Sequence, residues 1–575
     1  MAQAETFDVA IIGGGVNGTG IARDCALRGY RTVLLEKRDI ATGASGANSG
    51  MIHGGARYML YDVPTTEKSC RDSGYIQQMA PHMLFRIPFL YPVMQRGLAG
   101  TIAASLIETY FEAYDLFQPL KNGKPHTHLT REEALQVEPG LTKNFHSAIT
   151  MDEWGIDPFR LCTANALSAA EAGAVIRNHT EVLDFLWEPG EKKRVCGVLV
   201  KDHRTGLTEE VRARVVFNAS GAWVTRVLER AGCKVKVRPG KGVHLILDRR
   251  IVNVGVLCTA IDGRAIFIMP HDNSTIIGTT DDDYYGDLEN ITVTKDEIEY
   301  LLQGVERVFP AVRQARIVRT MAGIRPTMFA WGKNEDALSR DHRIYDHGER
   351  DGVAGLLTMI GGKLAAFRIM AEEATDKVGE LLGKEAPCTT HAKPLPGGGG
   401  EADLEKLSSD SGISLPALER IHFRHGVRAK NVAVLCEKDP SLQRMVCACE
   451  PVTAAELTYA VRTEWAAKLS DLRRRTRLGT GPCQGANCTL ESAAILGQEL
   501  SLPGRRQLEE TYDFLKNRWK GRAPIVEGEQ LAQEELNRAI HLQVAGLHRV
   551  LEESGPFEDW QKPASSPAVE GSGRG

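Results

Sequence analysis

The sequence predicts an α/β fold followed by a small helical module, and three observations carry that prediction. A short apolar run, Asp8-Val9-Ala10-Ile11-Ile12, opens directly into the glycine turn Gly13-Gly14-Gly15-Val16-Asn17-Gly18 and then into a helical stretch. From roughly residue 60 to residue 350, helical periodicity mixes with the two-residue alternation of strands. Near the C-terminus four cysteines gather in two short clusters, while the other eight are scattered singly.

Length and charge narrow the class before any motif is read. A chain of 575 residues has room for about three or four domains. Its 42% hydrophobic and 25% charged residues are those of an ordinary soluble globular protein. A net charge of -4 gives no reason to expect nucleic acid as a partner, since such domains are usually strongly basic. The N-terminus has no basic stretch ahead of its apolar run, and no segment offers about 18 uninterrupted apolar residues. A cytoplasmic location without a spanning helix is the expectation. The cysteine pattern is that of a cytosolic chain with one thiolate site, not of a disulfide framework.

The first element is a dinucleotide-binding fingerprint. The strand around Val9 leads into G-x-G-x-x-G, where Gly13 allows the tight turn, Gly15 lets the backbone approach a pyrophosphate and Gly18 permits close helix–strand packing. The helix from about Val16 to Arg28 points its N-terminal N–H groups and dipole at the phosphates. Thr32-Val33-Leu34-Leu35 reads as the second strand, and Glu36 at its end can accept hydrogen bonds from a ribose hydroxyl. This is a Rossmann-like unit. It does not choose between FAD and NAD, although Glu36 disfavours a 2′-phosphate.

Further along, Ala265 to Thr280 reads as a hairpin with Asp272-Asn273 at the turn. Phe85 to Phe117 is the most apolar region without a catalytic motif. A membrane-lying or partner-facing helix is one reading, but with few Lys or Arg beside the apolar residues, core packing is preferred. Pro394–Gly400 (PLPGGGG) reads as a linker. A Pro/Ser/Gly-rich tail, 563–575, is expected to be disordered.

Cys447-x-Cys449 is followed by Cys483-x4-Cys488. Four thiolates on two loops suit a [2Fe–2S] cluster. Zinc and unliganded thiols remain open on spacing alone, though C-x-C fits structural zinc poorly. Thr453-Ala454-Ala455-Glu456 matches a capping box after the first pair, and a second helix is expected to start near Cys488. Both pairs would then lie near helix N-termini, which stabilise thiolates. Arg473-Arg474-Arg475 and Arg477 either offset cluster charge, dock a partner or form a solvated face.

With the fingerprint before it, Ala41 to Tyr58 (ATGASGANSGMIHGGARY) resembles the FAD-dependent glycerol-3-phosphate dehydrogenases of the D-amino-acid-oxidase-like flavoprotein group. The resemblance continues through Ile156-Asp157-Pro158-Phe159-Arg160-Leu161, Asn218 to Trp223, Lys241-Gly242-Val243-His244 and Ile277 to Asp281. It also includes Ala322-Gly323-Ile324-Arg325-Pro326, Ser339-Arg340-Asp341 and Gly361-Gly362-Lys363-Leu364. It implies FAD as cofactor and glycerol 3-phosphate as substrate, with Arg57, Tyr58, Arg325, Arg340 and Lys363 lining the substrate pocket and His244 as general base. A dianionic phosphoester needs fixed cations, and an imidazole suits removal of a hydroxyl proton. Thr42, Ser45 and Ser49 are implied flavin-phosphate contacts, in a stretch less Ser-rich than that of the aerobic single-subunit enzymes. Val182, Gly221, Gly362 and Leu364 complete the implied cofactor set.

The C-terminal module resembles the bacterioferritin-associated-ferredoxin-like [2Fe–2S] domain, and its place here is similar to that in the large catalytic subunit of the anaerobic enzyme. The similarity extends into Asn517-Arg518-Trp519-Lys520-Gly521. It implies a second flavin subunit, together with an iron–sulfur membrane-anchoring subunit, that send electrons to quinone, with the chain peripheral on the cytoplasmic face of the inner membrane. The expected organisation is interleaved FAD-binding and substrate domains over 1–393, a linker and helical segment over 394–440, the cluster domain over 441–500 and a helical extension over 501–562. Two other functions are weighed: a flavoprotein dehydrogenase of another 2-hydroxy compound, and a non-catalytic electron-transfer subunit. Several cations around one pocket favour a phosphate, and His244, Arg325 and Lys363 together argue against loss of chemistry.

Overall fold

The computed structural model describes residues 6–60, 62–190, 193–332, 338 and 341–548, apart from the side chains of Arg57 and Leu60. Strand β1 (Thr6–Ile12) is buried on both faces: Val9 and Ile11 feed one core, Ala10 and Ile12 another. That double burial explains why its sequence is continuously apolar rather than alternating. Each such Val or Ile contributes about 1.5–3 kcal/mol on burial. Helix α1 (Val16–Leu27) follows the glycine turn and returns the chain to strand β2 (Thr32–Leu35), parallel to β1. Parallel partners on the other side are Thr208–Asn218 and then Leu356–Gly361, and His342–Asp346 pairs antiparallel at the edge. Helix α2 (Pro158–Glu171) packs beside α1, its N-terminus capped by Asp157, which accepts from Phe159 and Arg160 N–H.

A second, mixed sheet carries the substrate end of the cleft. Strand β3 (Val237–Leu247), near one edge of this sheet, lies between two antiparallel neighbours. On one side is the hairpin β4 (Ala265–His271) and β5 (Ser274–Gly278), whose turn is Asp272-Asn273 as predicted, Asp272 taking the positive φ of 53° that such a turn requires. On the other is the long strand β6 (Ile317–Met328), paired with β3 from Val237 opposite Met328 to Leu247 opposite Ile317.

The apolar stretch 85–117 packs into the core over much of its length, as expected: Ile87, Phe89, Phe111 and Tyr114 are buried in one cluster. Its first part is a strand, Leu84–Pro92, but the helix Gly97–Asp115 leaves Leu98, Ile102 and Leu106 exposed. The face turned inward carries Gly100 and Ala104, because a Cβ at Gly100 would stand 2.6 Å from the Gln95 carbonyl oxygen. Close approach selects a small residue at Gly100, Phe111 and Tyr114 fill the rest of the buried face, and Leu98, Ile102 and Leu106 stay outside.

The Pro394–Gly400 stretch is pinned rather than free. Leu395 N–H donates to Met79 O, Val427 N–H donates to Gly397 O, and Gly397 touches the His425 carbonyl. Beyond it lie helices α3 (Leu415–His425), α4 (Ala454–Thr463), α5 (Leu469–Thr476), α6 (Thr489–Glu499) and α7 (Gly504–Arg522). Thr453 caps α4 by accepting from Glu456 N–H, and α6 begins directly after Cys488. The Glu456 carboxylate does not close the predicted box. It is drawn to Arg424 at 2.6 Å and to His425 at 3.0 Å, a stronger, charge-assisted partner set. The tail 563–575 lies outside the described residues.

Candidate active site

The two sheets enclose a cleft of about 830 Å³ that runs from Glu36 to Lys363. At the Glu36 end the backbone itself is the binding surface. Gly13 has φ of 111°, and a Cβ there would stand 2.6 Å from Ala219 O. A Cβ at Gly18 would stand 1.8 Å from Gly13 O, so Gly18 lies under the turn as the packing residue rather than on the cleft wall. The Glu36 carboxylate accepts from Gly14 N–H at 2.7 Å and Arg38 N–H at 2.9 Å. Burial raises its pKa, and those two N–H bonds oppose the rise. Ser45 Oγ accepts from Val16 N–H at 2.9 Å, at the N-terminus of α1, and Thr42 and Ser49 line the same wall. Gly13, Gly15, Val182, Gly221, Gly362 and Leu364 also line the cleft.

At the other end β3 and β6 set the charged groups. His244 on β3 is 2% exposed, opposite Gly278 on β5 and Met321 on β6. Room for its ring comes from Gly278, where a Cβ would approach Cδ2 to 2.3 Å. Nδ1 of His244 has no hydrogen-bond partner among the described residues. Burial, reinforced by the charge of Arg325, pushes its pKa down to about 3, so the ring is neutral at physiological pH. Arg325 on β6 donates to Asp281 Oδ1 at 3.1 Å, Thr280 O at 3.2 Å and Thr279 Oγ1 at 3.0 Å. Gly242 leaves space for its guanidinium, which a Cβ would meet at 2.4 Å.

Lys363 follows the strand Leu356–Gly361, and its Nζ donates to His53 O at 2.9 Å and Gly54 O at 3.3 Å. Burial lowers its pKa, and the Tyr58 ring lies 5.0 Å from Nζ. Tyr58, His244, Arg325 and Lys363 all line this one cleft. Arg340 and the side chain of Arg57 lie outside the described residues. Among the cleft residues not singled out from sequence are His53 and Arg264. His53 stands inside the glycine-rich run that was read as a motif, so the signal was present. Arg264, which donates to Asp281 O at 2.7 Å, sits in a hairpin approach with no motif around it.

Below the cleft the four cysteines of the C-terminal module come together across their two loops. Cys449 Sγ and Cys483 Sγ are 3.8 Å apart, and Cys447 and Cys488 lie close enough to couple electrostatically. The Cys488 thiol and the N–H groups of Gly479 and Glu450 hold the Cys447 thiol down, to about 6.

A Rossmann-type cleft lined by a buried neutral imidazole, an arginine and a lysine defines a dinucleotide-dependent oxidoreductase. Comparison with known proteins makes that class specific. The family model for FAD dependent oxidoreductases matches residues 8–368, and that for the C-terminal domain of alpha-glycerophosphate oxidase matches residues 388–507. One relative belongs to the anaerobic glycerol-3-phosphate dehydrogenase of Escherichia coli strain K12, of which it is a single subunit. It is 37% identical over 557 residues, covering 95% of this chain and 98% of the relative. Its counterpart in the anaerobic glycerol-3-phosphate dehydrogenase of Haloferax volcanii is 36% identical, covering 93% and 89%. The glycerol-3-phosphate dehydrogenase from Bacillus halodurans, solved in complex with FAD, superposes with a TM-score of 0.72 at 26% identity, covering 91% of this chain and 97% of that one. The chain belongs to the family of FAD-dependent glycerol-3-phosphate dehydrogenases.

Proposed function

We propose that this chain oxidises sn-glycerol 3-phosphate to dihydroxyacetone phosphate and passes the electrons to a [2Fe–2S] cluster in its own C-terminal module. The observation that carries the first half is the grouping of neutral His244 with Arg325 and Lys363 in the same cleft. FAD fits the rest of that cleft. The Gly13 and Gly18 positions admit no Cβ, the N-terminus of α1 opens onto the cleft beside Thr42, Ser45 and Ser49, where a phosphate would meet its dipole, and Glu36 stands where a ribose would lie. When bound, FAD supplies the two-electron acceptor for the hydride that leaves C2 of the substrate.

The residues of the chain do the rest. Arg325 and Lys363, with Tyr58 and with Arg57 and Arg340 as further proposed contacts, hold the phosphate dianion and fix the C2 hydroxyl near His244. His244 takes the hydroxyl proton as the C2–O bond becomes a carbonyl, which requires the neutral ring that burial enforces. The apolar wall of Phe89, Tyr91, Phe111 and Phe267 keeps water from the reacting carbon.

For the second half the donor set fits a metal–sulfur centre. Two thiolates on one tetrahedral metal at about 2.3 Å lie roughly 3.8 Å apart, the separation of Cys449 and Cys483. Cys447 and Cys488 would hold the second iron. Such a cluster supplies a one-electron carrier between the cleft and a partner. The partners of this reading are a second flavin subunit, plus an iron–sulfur anchoring subunit leading to quinone, with the chain peripheral on the cytoplasmic face of the inner membrane. No described helix is long and apolar enough to cross a membrane.

The test is an anaerobic visible spectrum of the purified chain during addition of sn-glycerol 3-phosphate, with lactate as the competing 2-hydroxy compound. Bleaching of the flavin by the phosphate ester alone supports the proposal. Bleaching by lactate alone transfers the activity to a 2-hydroxy acid, and no bleaching by either leaves an electron-transfer subunit.

A further inference from the structure

The run Arg473-Arg474-Arg475-x-Arg477 divides in the folded chain. Arg474 and Arg475 both pair with Asp39 just after β2, at 2.7 and 2.6 Å. Arg477 pairs with Asp272 at the β4–β5 turn and with Glu450, at 2.9 and 3.1 Å. These three bind the module to the flavin and substrate sheets. Arg473 is different: it has no carboxylate partner among the described residues, and its Nη2 donates to Gln484 Oε1 at 3.0 Å.

The same oxygen receives Arg319 Nη1, from β6, at 3.5 Å, and Arg319 likewise has no carboxylate partner among the described residues. Gln484 is built to present that oxygen. It is fully buried with φ of 51°, and its Nε2 donates to Thr480 O at 2.7 Å and Gly481 O at 3.0 Å, which leaves Oε1 for the two arginines. Its neighbour is Cys483, whose carbonyl accepts from Arg518 at 3.3 Å. Arg518 and Arg522 in turn share a single carboxylate, Glu534, at 2.7 and 2.8 Å.

Four guanidinium groups thus surround the Cys483–Gln484 corner with one acid between them. Arg319 and Arg473 are mostly covered, by Gly521 and by the Phe514 ring, respectively. Burial and mutual repulsion push Arg319 down to about 10 and Arg473 well below the usual arginine range. Covered cations without a counter-charge are costly, so this corner calls for an anion, and the anion the adjoining thiols can supply is their own metal centre. Four thiolates, two sulfides and two ferric ions sum to two negative charges, and one-electron reduction makes it three.

We propose that Arg319 and Arg473, held by Gln484, are the counter-charge of the cysteine-held cluster and raise its reduction potential. The assignment rests on the cluster reading above. Because β6 carries Arg319 at one end and Arg325 toward the other, opposite β3 with His244, it also places the cluster's electrostatic partner on the strand that lines the substrate site. Arg319 and Arg473 are positioning and tuning residues: neither lines the cleft.

The experiment is an EPR-monitored redox titration of the full chain, with iron and acid-labile sulfide assayed on each sample. Arg473→Met and Arg319→Met are each expected to favour the oxidised cluster by about tenfold, 59 mV for a one-electron couple, with substrate-driven flavin reduction unchanged. Arg473→Lys keeps the charge and should recover most of the shift. If the Met variants lose the cluster, Gln484→Glu decides, since a carboxylate set between the two guanidinium groups should lower the potential in the same direction. Wild-type potential in cluster-loaded Met variants, or in loaded Gln484→Glu, overturns this proposal alone. Wild-type chain without iron and sulfide overturns the cluster reading, and this proposal falls with it.

Discussion

In the cleft, room is made by backbone that comes close, at Gly13, Gly242 and Gly278, and Arg325 and Lys363 are held mainly by carbonyls and hydroxyls, with the Asp281 carboxylate also on Arg325. At the junction with the C-terminal module the surface is made by buried ion pairs instead. Arg160 on α2 bonds Glu464 at 2.6 and 2.9 Å and also reaches the carbonyls of Arg424 and Arg475. Asp39, buried completely, accepts from both Arg474 and Arg475, which hold its carboxyl well below the usual range against the opposing effect of burial. His179 meets Asp471 at 2.8 Å in the same layer. The difference is one of purpose. A cleft must stay empty enough to receive a cofactor and an anion, so its shape comes from missing side chains. A junction that holds the cysteine module against the cleft domains must not slide, and paired charges fix register where apolar packing tolerates drift.

Breaking the cleft at its turn should have the largest effect. Gly18→Ala places a methyl 1.8 Å from Gly13 O, so the variant is expected to purify without flavin or fail to fold, read from the flavin-to-protein absorbance ratio and circular dichroism. Next is His244→Ala, which should keep FAD and lower the rate of anaerobic flavin reduction by about 10²- to 10⁴-fold, the usual worth of a general base. A stopped-flow trace at the wild-type rate would remove His244 from that role.

The junction answers differently. Glu464→Gln leaves Arg160 buried without its acid and should cost about 3–5 kcal/mol in urea unfolding, while the flavin of the folded fraction is still reduced by substrate. A variant that is as stable as wild type would mean that the ion pairs do not hold the module.

The last test returns to the cleft, where the effect is small at neutral pH and grows only on acidification. Below pH 6.5 an unfolded His244 binds a proton that the folded one refuses until about pH 3, so folding stability falls as pH drops through that window. His244→Asn should flatten the stability profile between those limits by up to about 1.4 kcal/mol per pH unit relative to wild type. Equal slopes would show that the ring is not held neutral.

The same contrast explains what was legible in the sequence. The Rossmann turn, Glu36, the β4–β5 hairpin and the helix start after Cys488 are written in short local patterns, and the structure has each of them where the pattern put it. His244, Arg325 and Lys363 stand in motifs and line the same cleft. The junction was not legible, because Arg160 and Glu464 stand 304 positions apart and each looks like a surface charge in its own segment. In the helix Gly97–Asp115 composition separates neither face: Phe111 and Tyr114 are buried as expected, while Leu98, Ile102 and Leu106 stand exposed. The division of the arginine run, three residues to the junction and one to the cluster corner, depends on Asp39, Asp272 and Gln484, none of which is near it in motif terms.

The central claim is that substrate electrons travel within this one chain, from the cleft to the cysteine module. Rapid-freeze EPR after anaerobic mixing with sn-glycerol 3-phosphate tests it, on wild type and on Cys483→Ser. The account predicts a reduced-cluster signal that grows in as the flavin bleaches in wild type, and bleaching without that signal in the variant. Flavin bleaching in an iron-loaded wild-type chain whose cluster stays oxidised would contradict it.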